Sequence, residues 1–572
     1  MIDRAPRLLL ALAAVAVAFA AADTYVVVLA LPEMMGTVQI PISELQRAAP
    51  IVSGFLLGYV AMLPLIGRIA DLRGRVPVLV MSLAVFAVGS LITALTFDMP
   101  TMVTGRFLQG VGGGGLVPAT LALVADLYPP HRRGIPLGVV SAVQEIGSVL
   151  GPLFGAAVLA FAPWQMIFAI NLLVGAVLAV AIAALARTEA TPGDHPLRGW
   201  LRFDWIGALA TVVLIASYAV LALRPGPIRR DLTWGQIFVP YTGDGVWLTP
   251  IGLTVVLSAI VVALRCCFAK NPLIDVRSWS ASLREADLGG AALMAVALGG
   301  IILAFATADP EVQVFSEQGL WYLAGSAVAT GLLVVHLRRT PTPLVPHDAL
   351  AARPAWGALL VSFFIGAGLI AALIDIPIFA RTTVHRESQF LAALVLVRFL
   401  IALPLGAILG GWLSRRYSAG LITAVGMLCS AAGFVAMAQW DEHSLNHEVS
   451  TTAVLLLCGF GFGLALAPVN GALLASTHHA VHGVAAALVV VARMVGMLVG
   501  ISALTTLGLR RFAIARDDCL ERGASSCGTA AALAQEHAVF LGAAGSVLIA
   551  GLLALVLFRR ADTRAGSTNP LH

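Results

Sequence analysis

Ionisable side chains stand inside long apolar stretches of this chain, where charge is costly. Glu145 and Arg493 each lie about eleven residues into such a stretch, and Asp23 and Arg398 lie inside two others. At a rise of 1.5 Å per helical residue, eleven residues span about 16 Å, which is near the centre of a bilayer. Ionisable groups at that depth are typical of proton relays and substrate sites. A static ion pair is the alternative for Glu145 and Arg493.

Two further ionisable residues lie nearer the ends of apolar stretches. Asp375 falls near the outer edge of its stretch, and Arg106 begins the sequence Arg106-Phe107-Leu108-Gln109-Gly110. An arginine inside a bilayer costs about 2.5–3.5 kcal/mol on insertion scales, so it needs hydrogen-bond acceptors or water. Arg106 therefore predicts a buried acceptor, or else a contact with lipid head groups. Asp375 is a candidate for proton exchange or for a structural role.

A short charged turn separates the second and third apolar stretches. It carries one acid among three arginines between flanking glycines, and its members of interest are Gly67, Arg68, Asp71, Arg73, Gly74 and Arg75. Glycine lets two backbones approach closely, and a carboxylate can accept hydrogen bonds from arginines or from a helix N-terminus. Such a cluster is typical of a gate that holds two helix bundles together in one state. The alternative is a loop that only sets membrane orientation.

The fifth apolar stretch carries a stripe of small residues. Gly147, Gly151 and Gly155 recur every four residues, and Pro152 lies among them. Glycines at this spacing line one face of a helix and permit close packing against a neighbour. Proline lacks a backbone N–H, so Pro152 predicts a kink. The alternative is a generic packing face.

The elements that carry these residues are predicted to be membrane-spanning helices. The chain has 572 residues, 59% hydrophobic and 11% charged, with a mean hydropathy of +0.94, which excludes an ordinary soluble protein. Apolar runs of about 20 residues can each cross a bilayer as a helix. We predict sixteen spans, roughly at 8–31, 48–70, 77–97, 101–126, 134–161, 165–187, 203–223, 249–268, 286–308, 318–337, 355–380, 389–413, 419–440, 450–476, 483–509 and 537–558.

Basic residues predict the orientation of these spans. The net charge of +5 includes a single lysine, Lys270, and does not indicate a nucleic-acid partner. Arginine pairs and triplets fall in alternate loops, which places those loops and both termini in the cytoplasm of a bacterial inner membrane. Cys519 and Cys527 then share a polar outer loop over 510–537. A disulfide there is compatible with an oxidising periplasm, and two free thiols are the alternative.

The chain repeats itself at long range. Met62-Leu63-Pro64-Leu65-Ile66-Gly67 is echoed by Ala402-Leu403-Pro404-Leu405-Gly406, and Gln144-Glu145-Ile146-Gly147 by Arg493-Met494-Val495-Gly496. We therefore predict an N-terminal six-helix bundle over 1–190, a C-terminal six-helix bundle over 350–560 and a cytoplasmic tail over 561–572. Linker helices in two hairpins fill 200–345 and are expected beside the bundles. Their outer segment, 224–249, is predicted as a β-hairpin or as an irregular loop.

Together these motifs resemble the major facilitator superfamily, in particular its fourteen-helix drug/proton antiporters. The turn from Gly67 to Arg75 is similar to the superfamily's gate motif, and the glycine stripe from Gly147 to Gly155 to its exporter motif in helix 5. Arg106 to Gly110 resembles the helix-4 motif, which the family links to proton transfer, so Gln109 joins the candidates. The resemblance implies two six-helix bundles, here with about four linker helices. Val28 replaces the usual asparagine of the helix-1 motif, which weakens an assignment to ordinary multidrug transport.

Four segments resemble the mycobacterial triacylglyceride exporters, which work with a periplasmic lipoprotein. They are Asp23 to Val28, Gln144 to Pro152, Phe399 to Pro404 and Val490 to Met494. The resemblance implies functional roles for Asp23, Glu145 and Arg493, a lipid cargo and a lipoprotein partner. Those exporters have two linker helices, whereas four are predicted here.

The sequence thus predicts a proton-coupled exporter of lipids or lipid-like amphiphiles that works by alternating access. An exporter of hydrophobic drugs or antibiotics is the alternative of the same class. A polytopic membrane enzyme would need clustered polar groups, and His478, His479 and His482 form the one such cluster, on a short loop where no partner acid is expected nearby. A lipid scaffold that transports nothing is a further alternative. No metal or cofactor is expected, because the proton gradient would supply the energy.

Overall fold

The fold is all-helical throughout the part of the chain that the structure describes. The computed structural model describes residues 4–40, 49–188, 204–231, 233–242, 245–269, 272, 275–306, 318–346, 350–384, 389–522 and 527–559. These residues contain sixteen helices of 19 or more residues at the positions of the sixteen predicted spans. Fourteen of these helices are long and apolar enough to cross a membrane, or fifteen if one bent pair is a single span. The predicted fold class is confirmed.

The N-terminal half consists of six long helices. Gly74 separates the second from the third with a φ of +92°, a conformation that glycine adopts without strain. Asp98 begins the fourth helix because its carboxylate accepts a hydrogen bond from the Thr101 N–H at 2.8 Å. The helices are α1 (Arg4–Thr37), α2 (Ala49–Arg73), α3 (Arg75–Ala94), α4 (Met99–Leu127), α5 (Gly134–Leu159) and α6 (Gln165–Thr188).

Five helices follow before the C-terminal half begins. Four are long, and the short α9 meets α10 at a bend of 75°. Their bounds are α7 (Trp205–Leu223), α8 (Pro250–Phe268), α9 (Val276–Glu285), α10 (Leu288–Ala306) and α11 (Gly319–Arg339). The C-terminal half then consists of α12 (Arg353–Thr382), α13 (Gln389–Leu413), α14 (Ala419–Met437), α15 (Glu448–Ala475), α16 (His482–Glu521) and α17 (Gly528–Leu557).

The internal repeat seen in the sequence recurs as repeated packing. In each half, two glycines four residues apart press a helix against the backbone of the first helix of that half. A side chain on any of these glycines would collide with the facing helix, so only glycine permits the approach. The contacts are Gly147 with Ala18, Gly151 with Ala22, Gly496 with Phe363 and Gly500 with Ala367. The side chain of Pro152 lies outside the described residues, so its predicted kink stays a prediction.

The linker helices form two hairpins, and in each an aspartate at the start of the first helix pairs with a basic side chain of the second helix. Asp204 caps α7 and pairs with Arg265 near the end of α8, while Asp287 precedes α10 and contacts His336 of α11 at 2.7 Å. Hydrogen bonds from Arg265 hold the pKa of Asp204 below its usual value. The α7–α8 hairpin packs near the end of α3, whereas α10 lies against both α2 and α16. The second hairpin therefore covers a seam between the two halves.

The segment between α7 and α8 forms short helical turns. The β-hairpin interpretation is wrong for the described residues, which contain no strand and a single backbone hydrogen bond of hairpin type, from Tyr241 to Leu248. Asp231 explains the first turn, because its carboxylate accepts hydrogen bonds from the N–H groups of Thr233 and Trp234. Such local bonds compete with strand pairing. The turns are Gly226–Arg230, Trp234–Phe238 and Val246–Leu248.

Helices α16 and α17 replace most of the outer loop that was predicted over 510–537. The loop prediction is wrong because α16 continues to Glu521 and α17 already begins at Gly528. The extension of α16 over 510–521 contains three arginines and two alanines, which favour helix even where the surroundings are polar. Cys519 and Cys527 are disulfide-bonded in the structure, with their Cα atoms 5.8 Å apart.

The two halves meet at one end of the molecule, here named the gate end because it carries the charged segment from Gly67 to Arg75. There α2 touches α16 through Gly67 and Gly483, and α5 touches α13 through Gly134 and Gly411. A hydrophobic cluster at this end includes residues of both halves. At the opposite end the described cluster around Met34 and Phe168 contains residues of the N-terminal half alone. The structure is therefore closed at the gate end.

The glycine contact between α5 and α13 should be sensitive to a single methyl group. A Cβ added at Gly411 would meet the carbonyl oxygen of Gly134, whereas a Cβ at Gly471 on α15 would meet nothing within 4 Å. Both substitutions replace glycine by alanine inside a helix and raise helix propensity equally. The difference in stability between the two variants therefore reports the packing of the added methyl group. We expect Gly411→Ala to be less stable than Gly471→Ala by about 1–3 kcal/mol, measured as melting temperature in detergent. Equal melting temperatures of the two variants would mean that the stability of the protein does not depend on the contact between α5 and α13.

Candidate functional site

Asp23 and Arg106 form a buried ion pair inside the N-terminal half. Arg106 Nη1 lies 2.7 Å from Asp23 Oδ2, and each residue is about 1% exposed. The guanidinium group also lies over the rings of Phe55 and Phe168, at 4.4 and 5.7 Å. Aromatic faces and a carboxylate together replace the water that the arginine has lost. Arg106 is thus placed in the interior of the bundle and not among lipid head groups.

Polar side chains from three helices surround this pair. Gln109 accepts a hydrogen bond from Arg106 at 2.9 Å and donates one to Ser90 at 2.9 Å. Asn171 of α6 donates to the other oxygen of Asp23. The network therefore ties α1, α3, α4 and α6 together. Sequence reasoning missed Ser90 and Asn171, although an asparagine inside an apolar stretch is a signal that could have found the latter.

Glu145 and Arg493 face each other across the boundary between the halves. Arg493 Nη1 of α16 lies 3.8 Å from Glu145 Oε1 of α5, and Glu145 is 6% exposed. Each residue is the twelfth of its helix, counted from the gate end. A small cavity between the halves adjoins the pair, and its polar lining consists of Ser141, Gln144, Ser362, Asn470 and Arg493. This is the one ion pair in the described residues that joins the halves at mid-depth.

Asp71 joins the halves at the gate end. Its two carboxylate oxygens accept hydrogen bonds from the N–H groups of Gly483 and Val484, at 2.8 and 3.0 Å. These N–H groups belong to the first turn of α16, which begins at His482. The N-terminus of a helix carries free N–H groups and a partial positive charge, so it suits a carboxylate. A side chain of one half thereby caps a helix of the other.

Arg75 reinforces this contact from the N-terminal half. It pairs with Asp71 at 3.0 Å and with Asp126 at 3.4 Å, and it donates to the backbone carbonyl of Ala70 at 2.7 Å. His479 of the other half lies 3.1 Å from Asp126. The expectation that the histidine cluster has no acid nearby is therefore wrong, because folding brings Asp126 from the end of α4 to this loop.

The remaining predicted residues lie at separate places. The prediction of a turn from Gly67 to Arg75 is wrong, because α2 continues to Arg73 and only Gly74 separates it from α3. Arg68 is half-buried within α2, and Arg73 lies over the ring of Trp279 in α9, at 4.5 Å. Arg398 donates to Thr452 within the C-terminal half at 3.1 Å. Asp375 is buried on α12, where sequence reasoning missed its neighbour Glu536 of α17. Within the described ranges, no group of three or more His, Cys, Asp or Glu residues could hold a metal ion.

Residues 13–501 match the pattern of the Major Facilitator Superfamily. The chain belongs to this superfamily. Its relatives in the superfamily include the triacylglyceride transporter of Mycolicibacterium hassiacum, 34% identical over 507 residues, which cover 87% of this chain and 78% of that protein. The triacylglyceride transporter of Mycobacteroides abscessus is 34% identical over 506 residues, 87% of this chain and 81% of that protein.

Solved structures of the superfamily share the fold. The human organic anion transporter MFSD10 (TETRAN) aligns with a TM-score of 0.54 at 12% identity, covering 96% of this chain and 100% of that protein. The proton:xylose symporter XylE aligns with a TM-score of 0.53 at 14% identity, covering 96% and 95%. The chain is therefore a transporter of the superfamily with linker helices inserted between its halves.

Replacement of Asp71 by asparagine should loosen the gate end. An amide oxygen carries no charge, so Asp71→Asn weakens both bonds to α16 and the pair with Arg75. Hydrogen bonds to a charged group contribute about 1.5–3 kcal/mol, and only the gate-closed state makes them. The equilibrium constant between the closed and open states should therefore shift about tenfold or more toward the open state. Hydrogen exchange of residues 482–490 should accelerate accordingly.

The exposed acid Glu448, at the opposite end of α15, provides the matched control. Glu448→Gln should leave the exchange of residues 482–490 unchanged. Wild-type exchange in Asp71→Asn would mean that the charged segment sets only membrane orientation.

Proposed function

We propose that the protein is a proton-coupled exporter of lipids or lipid-like amphiphiles across the bacterial inner membrane. Both termini and the gate end lie in the cytoplasm in this proposal, because arginines cluster in the loops of that end. The protein works by alternating access, in which the halves separate at one end while they close at the other. The observation that carries the proposal is the Glu145–Arg493 contact, an ionisable pair at mid-depth between the halves.

Protonation of Glu145 gives this pair a role in coupling. The carboxylate attracts Arg493 and favours the arrangement in which α5 and α16 are close. A proton that reaches Glu145 removes the negative charge and with it the charge–charge attraction to Arg493. The equilibrium then moves toward a state in which the halves part. A proton entering from the periplasm thus favours opening toward the cytoplasm.

The Asp23 network supplies a second group that responds to protons. Asp23 holds a buried guanidinium group, so a proton on Asp23 would leave Arg106 without its counter-charge. The network contacts four helices of the N-terminal half, and a change in it would alter how those helices pack. Gly147 and Gly151 place α5 directly against α1 near Asp23. Coupling between Asp23 and Glu145 therefore needs only small movements of α1 against α5.

A lipid cargo is supported by the relatives and by the arrangement of the linkers. The similar proteins named above are triacylglyceride transporters. The hairpin of α10 and α11 covers the seam between α2 and α16. Helices α5 and α13, which form the other seam, carry exposed apolar side chains such as Leu150 and Leu405. A lipid would enter or leave sideways through such a seam, which a water-soluble cargo does not need.

A multidrug/proton antiporter is the second candidate. The pairing of buried acids and arginines suits either cargo, and hydrophobic drugs would use the same route between the halves. The lipoprotein partner implied by the resemblance remains a prediction, and the outer segment 224–249 and the ends of α16 and α17 are its candidate contact surfaces.

Removal of either titratable charge should abolish coupling while the fold is kept. In proteoliposomes with an imposed pH gradient, we expect Glu145→Gln and Asp23→Asn to lose at least tenfold in gradient-driven lipid transport. The amide side chains keep the shape of the carboxyl groups but bind no proton. Glu448→Gln, an exposed acid, should transport like the wild type. Full gradient-driven transport by both variants would refute proton coupling through these residues.

The outer segment between α7 and α8 should matter more for lipids than for small cations. It carries Trp234, Tyr241 and Trp247, all exposed or partly exposed, and such side chains favour the membrane interface. We expect deletion of residues 229–245 to reduce lipid export more than export of small lipophilic cations, measured in the same vesicles. Equal loss of lipid export and cation export would indicate a folding defect. If neither activity is lost, the segment has no role in export and only connects α7 to α8.

A further inference from the structure

Two carboxyl groups of the C-terminal half face each other between α12 and α17. These helices run antiparallel, because Ser546 donates to the carbonyl of Phe364 at 3.0 Å and Gly368 lies against Ala543. Two helical turns, or seven residues, lead forward from Gly368 to Asp375 and back from Ala543 to Glu536. Asp375 and Glu536 therefore stand at the same level on two packed helices, where two negative charges would repel each other.

The surroundings of the two groups are apolar. Glu536 is 1% exposed and Asp375 is 8% exposed. The rings of Phe379 and Phe540, each one turn along from an acid, lie 6.3 Å apart, and Trp440 packs on Phe379. Glu536 Oε2 has no hydrogen-bond partner within the described part of the chain. A bare carboxylate oxygen in such a place is strongly disfavoured.

Buried cations nearby are engaged elsewhere. Arg398 of α13 donates to Thr452, and Arg493 of α16 faces Glu145. His537, next to Glu536, forms a hydrogen bond with the carbonyl of Trp440. The thiol of Cys458 on α15 donates to a backbone carbonyl, and Cys429 of α14 is partly buried. His482 on α16 is buried but lies at the gate end. The other charged or titratable residues at this end of the packed elements are exposed: Arg381, Asp441, Glu442, His443, His447, Glu448, Arg510, Arg511, Arg516, Asp517, Asp518 and Glu521.

We propose that Asp375 and Glu536 form a proton-binding site and hold one proton between them at neutral pH. Two like charges at short range in an apolar pocket without a counter-cation are costly, and a shared proton removes one charge and supplies the missing hydrogen bond. The site lies toward the end opposite the gate, on a different helix pair from Glu145 and Arg493. It gives the C-terminal half a proton site of its own.

Infrared spectroscopy of the full-length protein in lipid nanodiscs tests this site without any transport assay. The carbonyl band of a protonated carboxyl group is separate from the bands of ionised carboxylates. We expect the difference between wild type and the double variant Asp375→Asn/Glu536→Gln to contain this band at neutral pH. The band should disappear as the pH is raised. A failed lipid-transport assay would leave this result standing, so the two proposals fail separately.

Each single variant reports on the pairing itself. In Asp375→Asn the remaining Glu536 no longer faces a like charge, so it should release its proton at lower pH than the wild-type pair, and Glu536→Gln should affect Asp375 likewise. Glu448→Gln should leave the spectrum unchanged. The proposal is overturned if the wild type and the double variant have the same carboxyl band at neutral pH, or if both single variants titrate like the wild type.

Discussion

A charge that leaves water must meet an opposite charge or a set of hydrogen bonds, and the interior of this protein is arranged around that requirement. Arg106 meets it with Asp23, Gln109 and two aromatic rings inside the N-terminal half. Because the partners come from different helices, satisfying one guanidinium group fixes how those helices pack. Glycine stripes then let the helices approach closely enough for the partners to meet.

The same requirement becomes a conformational constraint where the partners belong to different halves. Asp71 is satisfied by the first turn of α16, and Glu145 by Arg493. In the proposed alternating access, these groups would need water or a proton instead when the halves part. The interactions therefore favour one arrangement of the halves without holding it permanently, which is what a transporter needs. An ion pair confined to one half, such as Asp23 with Arg106, does not bias that equilibrium directly.

The two inserted hairpins are held by the same kind of contact, an aspartate of the first helix paired with a basic residue of the second, but the basic residue differs. Asp204 pairs with an arginine, whereas the corresponding Asp287 pairs with a histidine. The second hairpin, with the histidine, is the one that lies against α2 and α16. It also brings α9 to the gate, where Trp279 lies under Arg73. The insertion thus contacts α2 and α16, the two helices that meet at Gly67 and Gly483.

The sequence by itself determined the helical architecture, the repeat and most of the charged candidates, because apolar stretches of about 20 residues have only one stable form in a bilayer and charges within them stand out. Asp23, Glu145, Arg493 and the charged segment from Gly67 to Arg75 were all identifiable in this way. The tertiary structure alone decided which groups meet. Arg106 lies 83 residues from Asp23, and Asp71 lies 412 residues from Gly483. Such distances in sequence carry no local signal, since pairing depends on helix register and rotation. Glu536 escaped notice for the same reason: it lies near a predicted span end, and only the antiparallel register of α12 and α17 places it opposite Asp375.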